Sequence, residues 1–540
     1  MWTSVNLIIL TLSASMIGIE SARILGVIPT PSISHHVVFR PLFEELARRG
    51  HEVTVITTDP AFPKGGAPEN LTEINVHDIS YNLFTAHLKT VTGNQDDLVI
   101  QQFLVWELLN EIVEAQIKDI EVQKLLKYDS KYFDLLIIES IVRPALVFSH
   151  VFKAPVIHIS SFGAYLGVYE AIGAPTHPFL YPSPARQKLY NLTLWDKITE
   201  LHTYYTLLYN YNRHEEQENA MLRRLFGKDV PTLSELKNNI DMTFLNIHPI
   251  FEGNYPVPPN VVHIWGIYSK PETELPTELK SYLDSSKHGV IYMSFGTNTD
   301  PTKLNPEKIQ MFIKVFSQLP YDVLWKWNDD TMPGKSKNIR IGKWFPQSDL
   351  LRHPNVKLFI TQGGLQSTDE AINAAVPLIG FPMLGDQWFN VIKYEHLRIG
   401  LRLDFEHVDE EQFSKAINTI INDDSYRRNI MKLRELVQDQ PMPSLERAAW
   451  WVEYTLRHGG ARYLRSPAAN MSWADYFELE LLSVLLLCVI VVLIYFGSFV
   501  VLCYEYIYFM VPKGDKCQPT CVCSLTFCPA YVQQLRRLIS

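Results

Sequence analysis

The chain has 540 residues, 47% of them hydrophobic and 20% charged, a composition typical of a globular protein with roughly two or three domains. Its formal net charge of −9 argues against a nucleic-acid partner, which would favour a basic surface. An anionic small ligand is not excluded, because backbone N–H groups can bind phosphate whatever the net charge.

The chain begins with a short apolar segment at residues 5–16. This segment is too short to span a bilayer, and small residues follow it near Ser21 and Ala22, an arrangement typical of a secretory signal peptide. We therefore predict a signal peptide over residues 1–22, with its cleavage site left open.

The next segment predicts alternating strands and helices. The predicted elements are, in order, a strand at 24–28, a loop at 29–34, a helix at 36–49 that ends at Gly50, and strands at 53–57, 134–138 and 155–159. This order is typical of a parallel α/β sheet. Residues 61–131 and 162–211 have weaker periodicity, and we expect substrate-selecting loops and helices there.

A proline-rich linker, with prolines clustered at 255–260 and 271–276, precedes a second α/β segment. The elements predicted after it are strands at 290–295, 323–326, 356–361 and 377–381 and helices at 306–319, 365–375 and 388–397. The sequence therefore predicts an α/β fold of two doubly wound, Rossmann-like domains that face each other across a cleft. The predicted boundaries are 23–265 for the N-terminal domain, 266–287 for the linker, and 288–470 for the C-terminal domain with its closing helices.

One long apolar segment lies near the C-terminus. Residues 481–504 carry no charge, and about 20 apolar residues span a bilayer, so we predict one transmembrane helix there. Together with a signal peptide, this helix would place the domains in the lumen and a short tail, residues 505–540, in the cytosol. Three glycosylation sequons lie before the helix, at Asn70, Asn191 and Asn470.

All six cysteines lie within or after the predicted helix, so the lumenal part would fold without disulfides, which a large core allows. Four of them are in the tail: Cys517, Cys521, Cys523 and Cys528. Their spacing fits no pair of zinc knuckles, and reduced thiols or palmitoylation sites are simpler interpretations.

Two glycine-containing turns follow predicted strands of the second domain. Gly363 and Gly364 precede a helix, where free backbone N–H groups and the helix dipole favour a diphosphate. Ser294, Gly296 and Thr297 form a second such turn. Either turn, taken alone, is equally well explained as a tight strand–helix connection without a ligand.

Residues 344–387 surround the first of these turns with side chains suited to a nucleotide sugar. An aromatic ring can hold a base, a carboxylate can hold a ribose, and an Asp-Gln pair can bond sugar hydroxyls. The side chains are Trp344, Glu370, Asp386 and Gln387. Each has an ordinary structural explanation when taken singly, but their joint order and spacing favour a nucleotide-sugar site.

These residues also carry a family resemblance. Residues 344–387, with T-Q-G-G-L-Q-S at 361–367 and R-G-H-E-V-T-V at 49–55, are similar to the UDP-glycosyltransferases, most of all to membrane-bound arthropod members. The resemblance covers nearly the whole chain. It implies the two-domain arrangement called GT-B, with the acceptor in the N-terminal domain and the UDP-sugar in the C-terminal domain.

The resemblance also implies roles for single residues. The implied contacts are Trp344 stacked on uracil, Gln347 at the base, Glu370 on the ribose hydroxyls, and Asp386 and Gln387 on the sugar, with Asn390 nearby. Gln362 occupies a position where the family usually has histidine. Its amide can donate to a phosphate oxygen but cannot become cationic.

Sugar transfer to a hydroxyl needs a base, and His35, after the first strand, is suited to that role near neutral pH. A carboxylate should orient the ring and stabilise the imidazolium. Glu139, at the end of F-D-L-L-I-I-E, matches an aspartate position of the family with a longer side chain, so its reach must be checked. His36 is the rival base, and His51 is expected to be structural.

The prediction is an inverting transfer of a sugar from a UDP-sugar to a hydroxyl of a small lipophilic acceptor, as in detoxification or metabolite conjugation, at the endoplasmic-reticulum membrane. The resemblance suggests glucose and leaves glucuronate, galactose and a homo-oligomeric state open. It implies neither a cofactor nor a metal, since the UDP-sugar is a co-substrate and the donor segment lacks Asp-x-Asp.

Two alternatives belong to other classes of protein. A catalytically silent, membrane-anchored carrier of apolar ligands is suggested by Gln362 and Glu139, which depart from the family pattern. The presence of His35 argues against it. A structural membrane protein is disfavoured by the donor segment.

Overall fold

The computed structural model describes residues 21–88, 98–182, 186, 188–297 and 299–510. Residues 1–20 of the predicted signal peptide and residues 511–540 of the predicted tail, with the four tail cysteines, lie outside the described residues. The chain divides into two compact units, of which the first ends at Met471 and the second begins at Ser472.

Seven parallel strands form the first sheet. They are β1 (Arg23–Ile28), β2 (Glu52–Thr57), β3 (Leu71–Asn75), β4 (Leu135–Glu139), β5 (Val156–Ser160), β6 (Ile240–Leu245) and β7 (Val261–His263). Their spatial order is β3-β2-β1-β4-β5-β6-β7. β4, β5 and β6 are buried along their whole length, which explains their nearly continuous apolar sequences.

Helices on both faces cover this sheet. They are α1 (Ile33–Arg48), α2 (His77–Leu88), α3 (Leu98–Ile117), α4 (Ile120–Leu125), α5 (Val147–Phe152), α6 (Val168–Ile172), α7 (Leu194–Phe226), α8 (Leu233–Leu236) and α9 (Pro249–Glu252), with 3₁₀ turns at Arg143–Leu146 and Lys237–Asn239. The two segments of weak periodicity thus contain the long helix α3 and the first half of the long helix α7.

The start of α1 positions a predicted catalytic residue. Ser32 is extended, with φ −153°, and its carbonyl accepts from the N–H groups of His35 and His36 at 3.0 and 3.3 Å. The helix therefore begins earlier than the sequence pattern predicts. His35 lies in its first turn and points from the carboxyl end of β1.

Six parallel strands form the second sheet. They are β8 (Val290–Ser294), β9 (Asp322–Lys326), β10 (Ile339–Gly342), β11 (Val356–Thr361), β12 (Leu378–Gly380) and β13 (Gly400–Arg402), in the order β10-β9-β8-β11-β12-β13. The associated helices are α10 (Thr277–Ser285), α11 (Pro306–Ser317), α12 (Gln347–Arg352), α13 (Leu365–Ala374), α14 (Gln387–His396), α15 (Glu410–Asn422) and α16 (Asp424–Gln438), with a 3₁₀ turn at Pro301–Lys303. The predicted α/β fold with two doubly wound sheets is confirmed.

The chain then returns to the first sheet. α17 (Ser444–Arg457) is followed by a 3₁₀ turn at Arg462–Leu464. Ala448, Ala449 and Val452 of α17 are buried in the same hydrophobic cluster as Leu42 and Leu46 of α1. The last helix of this unit therefore completes the core of the first sheet.

The second unit contains α18 (Trp473–Tyr476) and α19 (Leu479–Met510). The predicted span 481–504 lies inside α19, whose large apolar side chains are mostly exposed. Within the described part of the chain, α19 is the helix that is long and apolar enough to cross a membrane. It is compatible with a single-pass anchor.

Candidate active site

The strand order reverses once in each sheet, and ligands of doubly wound folds bind outside the carboxyl ends of the strands at such a reversal. In the first sheet the reversal lies between β1 and β4, and in the second between β8 and β11. His35 and Glu139 follow or end the first pair of strands. The two glycine turns follow the second pair, so the predicted site residues gather at both reversals.

His35 and Glu139 form a hydrogen-bonded pair. The His35 Nδ1 atom lies 2.6 Å from Glu139 Oε1, so the longer glutamate side chain does reach the ring. The carboxylate accepts from Nδ1–H, which leaves Nε2 as the acceptor of a further proton. No described residue bonds to Nε2, and the His35 side chain remains 15% exposed.

Glu139 is held in its ionised form. Burial alone would raise the pKa of this carboxyl, but the hydrogen bond and charge of His35 and the Thr30 backbone N–H, 3.1 Å from Oε2, outweigh burial and lower the pKa below its ordinary value. The edge of Phe162 contacts the His35 ring, with centroids 5.4 Å apart. An ionised acid that orients a histidine and can stabilise its imidazolium is the arrangement a general base requires.

The other two histidines of this region have structural surroundings. His36 is 2% exposed, and its ring nitrogens bond Thr57 Oγ1 at 3.0 Å and Thr58 Oγ1 at 2.8 Å. Burial lowers the pKa of His36 to about 4, although Glu139 and Asp59 oppose this effect. His51 is also buried, and its Nδ1 accepts from the Ala22 N–H.

The glycine turns differ in what requires glycine. Gly363 has φ +90°, and a Cβ there would lie 2.2 Å from Val391 Cγ2, so packing and backbone conformation both require glycine. Gly364 has φ −61°, and a Cβ would meet only Gln362 Nε2, at 3.7 Å. Nothing in the packing requires glycine at 364, where the open first turn of α13 presents its backbone N–H groups.

Gln362 lies between the two turns. Thr299 Oγ1 donates to Gln362 Oε1 at 3.0 Å, which directs the Gln362 NH₂ group toward Gly296 and Gly364. Gly296 has φ +72°, and a Cβ there would lie 2.4 Å from Gln362 Nε2. Of the other two residues predicted in this turn, Ser294 is buried and Thr297 is exposed.

Lys326, at the end of β9, adds a positive charge beside this turn. Its Nζ donates to the Gly296 carbonyl at 2.7 Å. Burial lowers the pKa of this ammonium, and Asp300 opposes that effect. Sequence reasoning selected neither Lys326 nor Thr299, although both follow strands at the carboxyl edge where ligands bind.

The residues predicted to bind the nucleotide lie near the reversal between β8 and β11. Trp344 is 68% exposed and offers a ring face. Gln347 accepts from Tyr292 OH at 3.0 Å and donates to Ser367 Oγ at 3.0 Å and to Glu370 Oε2 at 2.6 Å. The structure therefore places Gln347 against Glu370, and its contact with a base stays a prediction.

Burial raises the pKa of Glu370 to about 7, although the Gln347 hydrogen bond opposes this effect. If Glu370 binds the ribose hydroxyls as a carboxylate, acidification through pH 7 should protonate it and weaken the donor. We expect the affinity for UDP-glucose, measured by calorimetry, to fall by about tenfold from pH 8 to pH 6. Glu370→Gln should bind weakly with no such pH dependence. An equally steep dependence in that variant would contradict the role of Glu370.

The predicted sugar residues lie in the loop before α14 and in its first turn. Asp386 accepts from Asn390 Nδ2 at 2.8 Å, and the same amide donates to the Gly363 carbonyl at 3.0 Å. Gln387 Oε1 accepts from the N–H groups of Met383 and Leu384, both at 2.8 Å. The loop is thus folded around Gln387, whose NH₂ group is left for a ligand.

Two contacts join the two domains. The Gln366 amide donates to the Ser161 carbonyl at 3.1 Å, and the buried Lys393 ammonium lies 3.2 Å from Glu252 Oε2. Burial raises the pKa of Asp386, while Asn390 and the charge of His35 oppose the effect. The His35–Glu139 pair, predicted to be catalytic, therefore lies close enough to residues 383–387, the predicted sugar loop, for the charge of His35 to act on Asp386.

Two observations concern sites of other kinds. Within the described ranges, no group of three or more His, Cys, Asp or Glu side chains could hold a metal ion. Among the sequons, Asn70 and Asn191 are exposed, whereas the Asn470 amide donates to Asn238 Oδ1 at 2.8 Å.

Comparison with known proteins shows where the chain has relatives. The family model described as UDP-glucoronosyl and UDP-glucosyl transferase matches residues 23–514. An ecdysteroid UDP-glucosyltransferase of Spodoptera littoralis nuclear polyhedrosis virus is 34% identical over 90% of this chain and 98% of its own. UDP-glucosyltransferase 2 of Dactylopius coccus is 30% identical over 89% and 93%.

Solved structures show the same fold. The Arabidopsis thaliana UGT89C1 structure with UDP-L-rhamnose superposes with a TM-score of 0.55 at 16% identity, over 81% of this chain and 99% of that one. The glycotransferase of kitacinnamycin gives a TM-score of 0.56 at 16% identity with the same coverage. At these identities the likeness shows the GT-B fold alone.

Proposed function

Because the chain belongs to the UDP-glucoronosyl and UDP-glucosyl transferase family, and is therefore a UDP-glycosyltransferase, we propose that it transfers glucose from UDP-glucose to a hydroxyl of a small lipophilic acceptor. The observation that carries the proposal is the His35–Glu139 pair, 2.6 Å apart, which faces Asp386 in the sugar loop. A base for the acceptor and a binding loop for the donor then lie in one cleft.

The proposed reaction is a single displacement. The acceptor oxygen attacks the anomeric carbon as its proton passes to His35 Nε2, and the bond from that carbon to the phosphate oxygen breaks. UDP leaves with the electron pair, and the anomeric configuration inverts. Glu139 keeps Nδ1 protonated and stabilises the imidazolium that forms.

The leaving diphosphate would be stabilised without a metal, by the backbone N–H groups of Gly296 and Gly364 and the amide of Gln362. Lys326, bonded to the Gly296 carbonyl, supplies positive charge nearby. This charge offsets the absence of a cationic side chain at 362.

The relatives support the choice of sugar and acceptor. The viral and Dactylopius proteins are named UDP-glucosyltransferases, and the viral name specifies an ecdysteroid. Phe162, which contacts His35, and Tyr165, whose ring centroid lies 5.7 Å from that of Phe162, give the acceptor side an aromatic wall. An apolar molecule with an exposed hydroxyl, of the kind modified in endogenous conjugation or detoxification, fits such surroundings.

The proposed setting is the endoplasmic-reticulum membrane, with α19 as a single-pass anchor, the two sheets in the lumen and the tail in the cytosol. The apolar start of the chain and the exposed sequons Asn70 and Asn191 support this topology. Glycosidase treatment of the membrane-bound protein, with and without detergent, tests it. Loss of glycan mass only after permeabilisation is expected, and a protein without glycan would count against the lumenal placement.

UDP release from the full-length enzyme in detergent tests the function. UDP-glucose, UDP-galactose and UDP-glucuronate should each be offered with an ecdysteroid, a flavonoid and a simple phenol. We expect acceptor-dependent release that is fastest with UDP-glucose, and a β-linked product from the α-linked donor. Binding of apolar acceptors without release from any donor, and without donor binding, would instead support the silent carrier.

Trp344 supplies a separate test of donor binding. Trp344→Ala should raise KM for UDP-glucose by roughly 5- to 100-fold, the range expected from the loss of one base–aromatic stack. The melting temperature should not change, since this ring is 68% exposed. Trp195→Ala, which removes a 74% exposed tryptophan from α7, is the matched control and should leave KM unaltered. An unaltered KM in Trp344→Ala would show that the uracil binds elsewhere.

A further inference from the structure

One buried side chain of the acceptor-binding domain contacts the sugar loop of the other domain. Gln101, in the first turn of α3, is 3% exposed. Its Oε1 accepts from the Gly385 N–H at 3.3 Å, and Gly385 precedes Asp386 directly. The amide thus joins the two halves of the cleft at the point where the donor sugar is predicted to bind.

The other half of the Gln101 amide is unpaired. Its Nε2 is buried and has no hydrogen-bond partner among the described residues. A buried NH₂ group without an acceptor is unfavourable, and such groups are rare unless a ligand or a functional role accounts for them. Nε2 is therefore available to donate to a molecule bound beside Gly385 and Asp386.

The surroundings of Gln101 are fixed by its neighbour. Gln102, also 3% exposed, has an Oε1 that accepts from Tyr165 OH in a short hydrogen bond. Tyr165 contacts Phe162, and Phe162 contacts the His35 ring. The first turn of α3 is therefore tied to the catalytic histidine on one side and to the sugar loop on the other.

We propose that Gln101 is a specificity-determining residue for the donor sugar: its Nε2 donates to a hydroxyl oxygen of the hexose while its Oε1 holds Gly385. This inference rests on the proposed function. It adds that the domain that binds the acceptor also reads the sugar, so that the sugar is recognised only when both domains surround it.

The chemistry of the site selects the class of sugar. Gln101 and Gln387 are neutral amides and Asp386 is an acid, so the three suit hydroxyl groups and disfavour a carboxylate. Lys393, whose charge interacts with that of Asp386, is paired with Glu252 at 3.2 Å. A neutral hexose is therefore favoured over a uronic acid.

The test compares UDP-glucose with UDP, which lacks the sugar, as ligands of the full-length enzyme. Gln101→Leu removes both amide functions, and Gln101→Glu retains an oxygen for Gly385 but loses the donor. We expect both variants to raise KM for UDP-glucose by roughly 3- to 10-fold, the effect of one neutral hydrogen bond. The inhibition constant of UDP, which lacks the sugar, should be unchanged.

Gln116→Leu is the matched control. Gln116 is a buried glutamine of the same helix, but its amide is satisfied within its own domain by the Pro29 carbonyl at 2.8 Å and Ser80 Oγ at 2.9 Å. Its loss should lower stability and leave the ratio of KM for UDP-glucose to the inhibition constant of UDP unchanged. A change of that ratio confined to position 101 would locate the effect at the sugar.

Two results would overturn the inference. An unaltered KM in Gln101→Glu would mean that Gln101 only positions the loop through Oε1. A parallel weakening of UDP and UDP-glucose in both variants would mean that the substitutions disturb the whole donor site. If the unmodified enzyme used no UDP-sugar, the proposed function would fail instead, so the two failures are distinguishable.

Discussion

His35→Ala is expected to lower kcat by roughly 10²- to 10⁴-fold, the usual contribution of a general base. The affinity for UDP-glucose should stay close to that of the unmodified enzyme, because the predicted donor contacts come from the second domain and from Gln101 and not from His35. kcat should fall because the neighbouring histidine cannot replace the base: His36 is buried, hydrogen-bonded on both nitrogens and held neutral. Steady-state UDP release and calorimetric titration with UDP-glucose measure the two quantities.

A histidine outside the cleft provides the control. His407 lies on the surface, with its side chain 83% exposed, and His407→Ala should behave as the unmodified enzyme. Full turnover in His35→Ala would remove the base from the proposal. Ligand binding that is retained by an unmodified protein with no turnover would favour the carrier.

Glu139→Gln is expected to lower kcat by up to about 10⁴-fold, because an amide NH₂ facing Nδ1 selects the wrong tautomer and cannot stabilise the imidazolium. Nδ1 would then be an acceptor, and the proton would sit on Nε2, where the base must be free. The fold should be retained, since the substitution preserves shape. Pre-steady-state measurement of the first turnover would show whether the loss lies in the chemical step.

The same variant has a pH-dependent signature in stability. The pKa of Glu139 is lowered from 4.5 in the folded protein, so the folded state prefers the carboxylate. Its contribution to the free energy of unfolding is present above about pH 4.5 and is lost as pH falls through the lowered value. In Glu139→Gln the free energy of unfolding should therefore decrease less steeply as pH falls through this range. Glu45→Gln, which affects a carboxylate facing Arg48 and Arg49 on α1, should leave kcat unchanged.

Local sequence patterns predicted those strands that are short apolar runs. They failed where long-range contacts decide the outcome. β6 contains the buried Asp241, whose carboxylate accepts from the backbone N–H groups of Val156 at 3.2 Å and Ala461 at 2.8 Å. The local sequence does not indicate that Ala461, 220 residues away, will bond Asp241. A charged residue at this position therefore argues against a buried strand.

Helix α3 escaped prediction for a related reason. Its buried face includes Gln101, Gln102 and Gln116, whereas Ile100 is exposed, so its sequence lacks the one-sided apolar period of a surface helix. Lys326 and Thr299 lie outside residues 344–387, which carry the family resemblance, and belong to no motif of their own, so no pattern in the sequence marks them. The sequence predicted the pairing of His35 with Glu139, but the distance between them depends on how the chain packs around β1 and β4.

The return of α17 to the first sheet makes the second sheet an insertion in the chain rather than its C-terminal half. Hydrogen bonds hold both junctions of that insertion: Tyr268, before it, bonds Asp369 of α13 at 2.9 Å, and Ser444, after it, bonds the Trp265 carbonyl at 2.7 Å. Exchange of the UDP-sugar domain between relatives therefore needs two junctions. A soluble form truncated before α17 would uncover the apolar side of α1, whereas one that ends near Met471 would keep it closed.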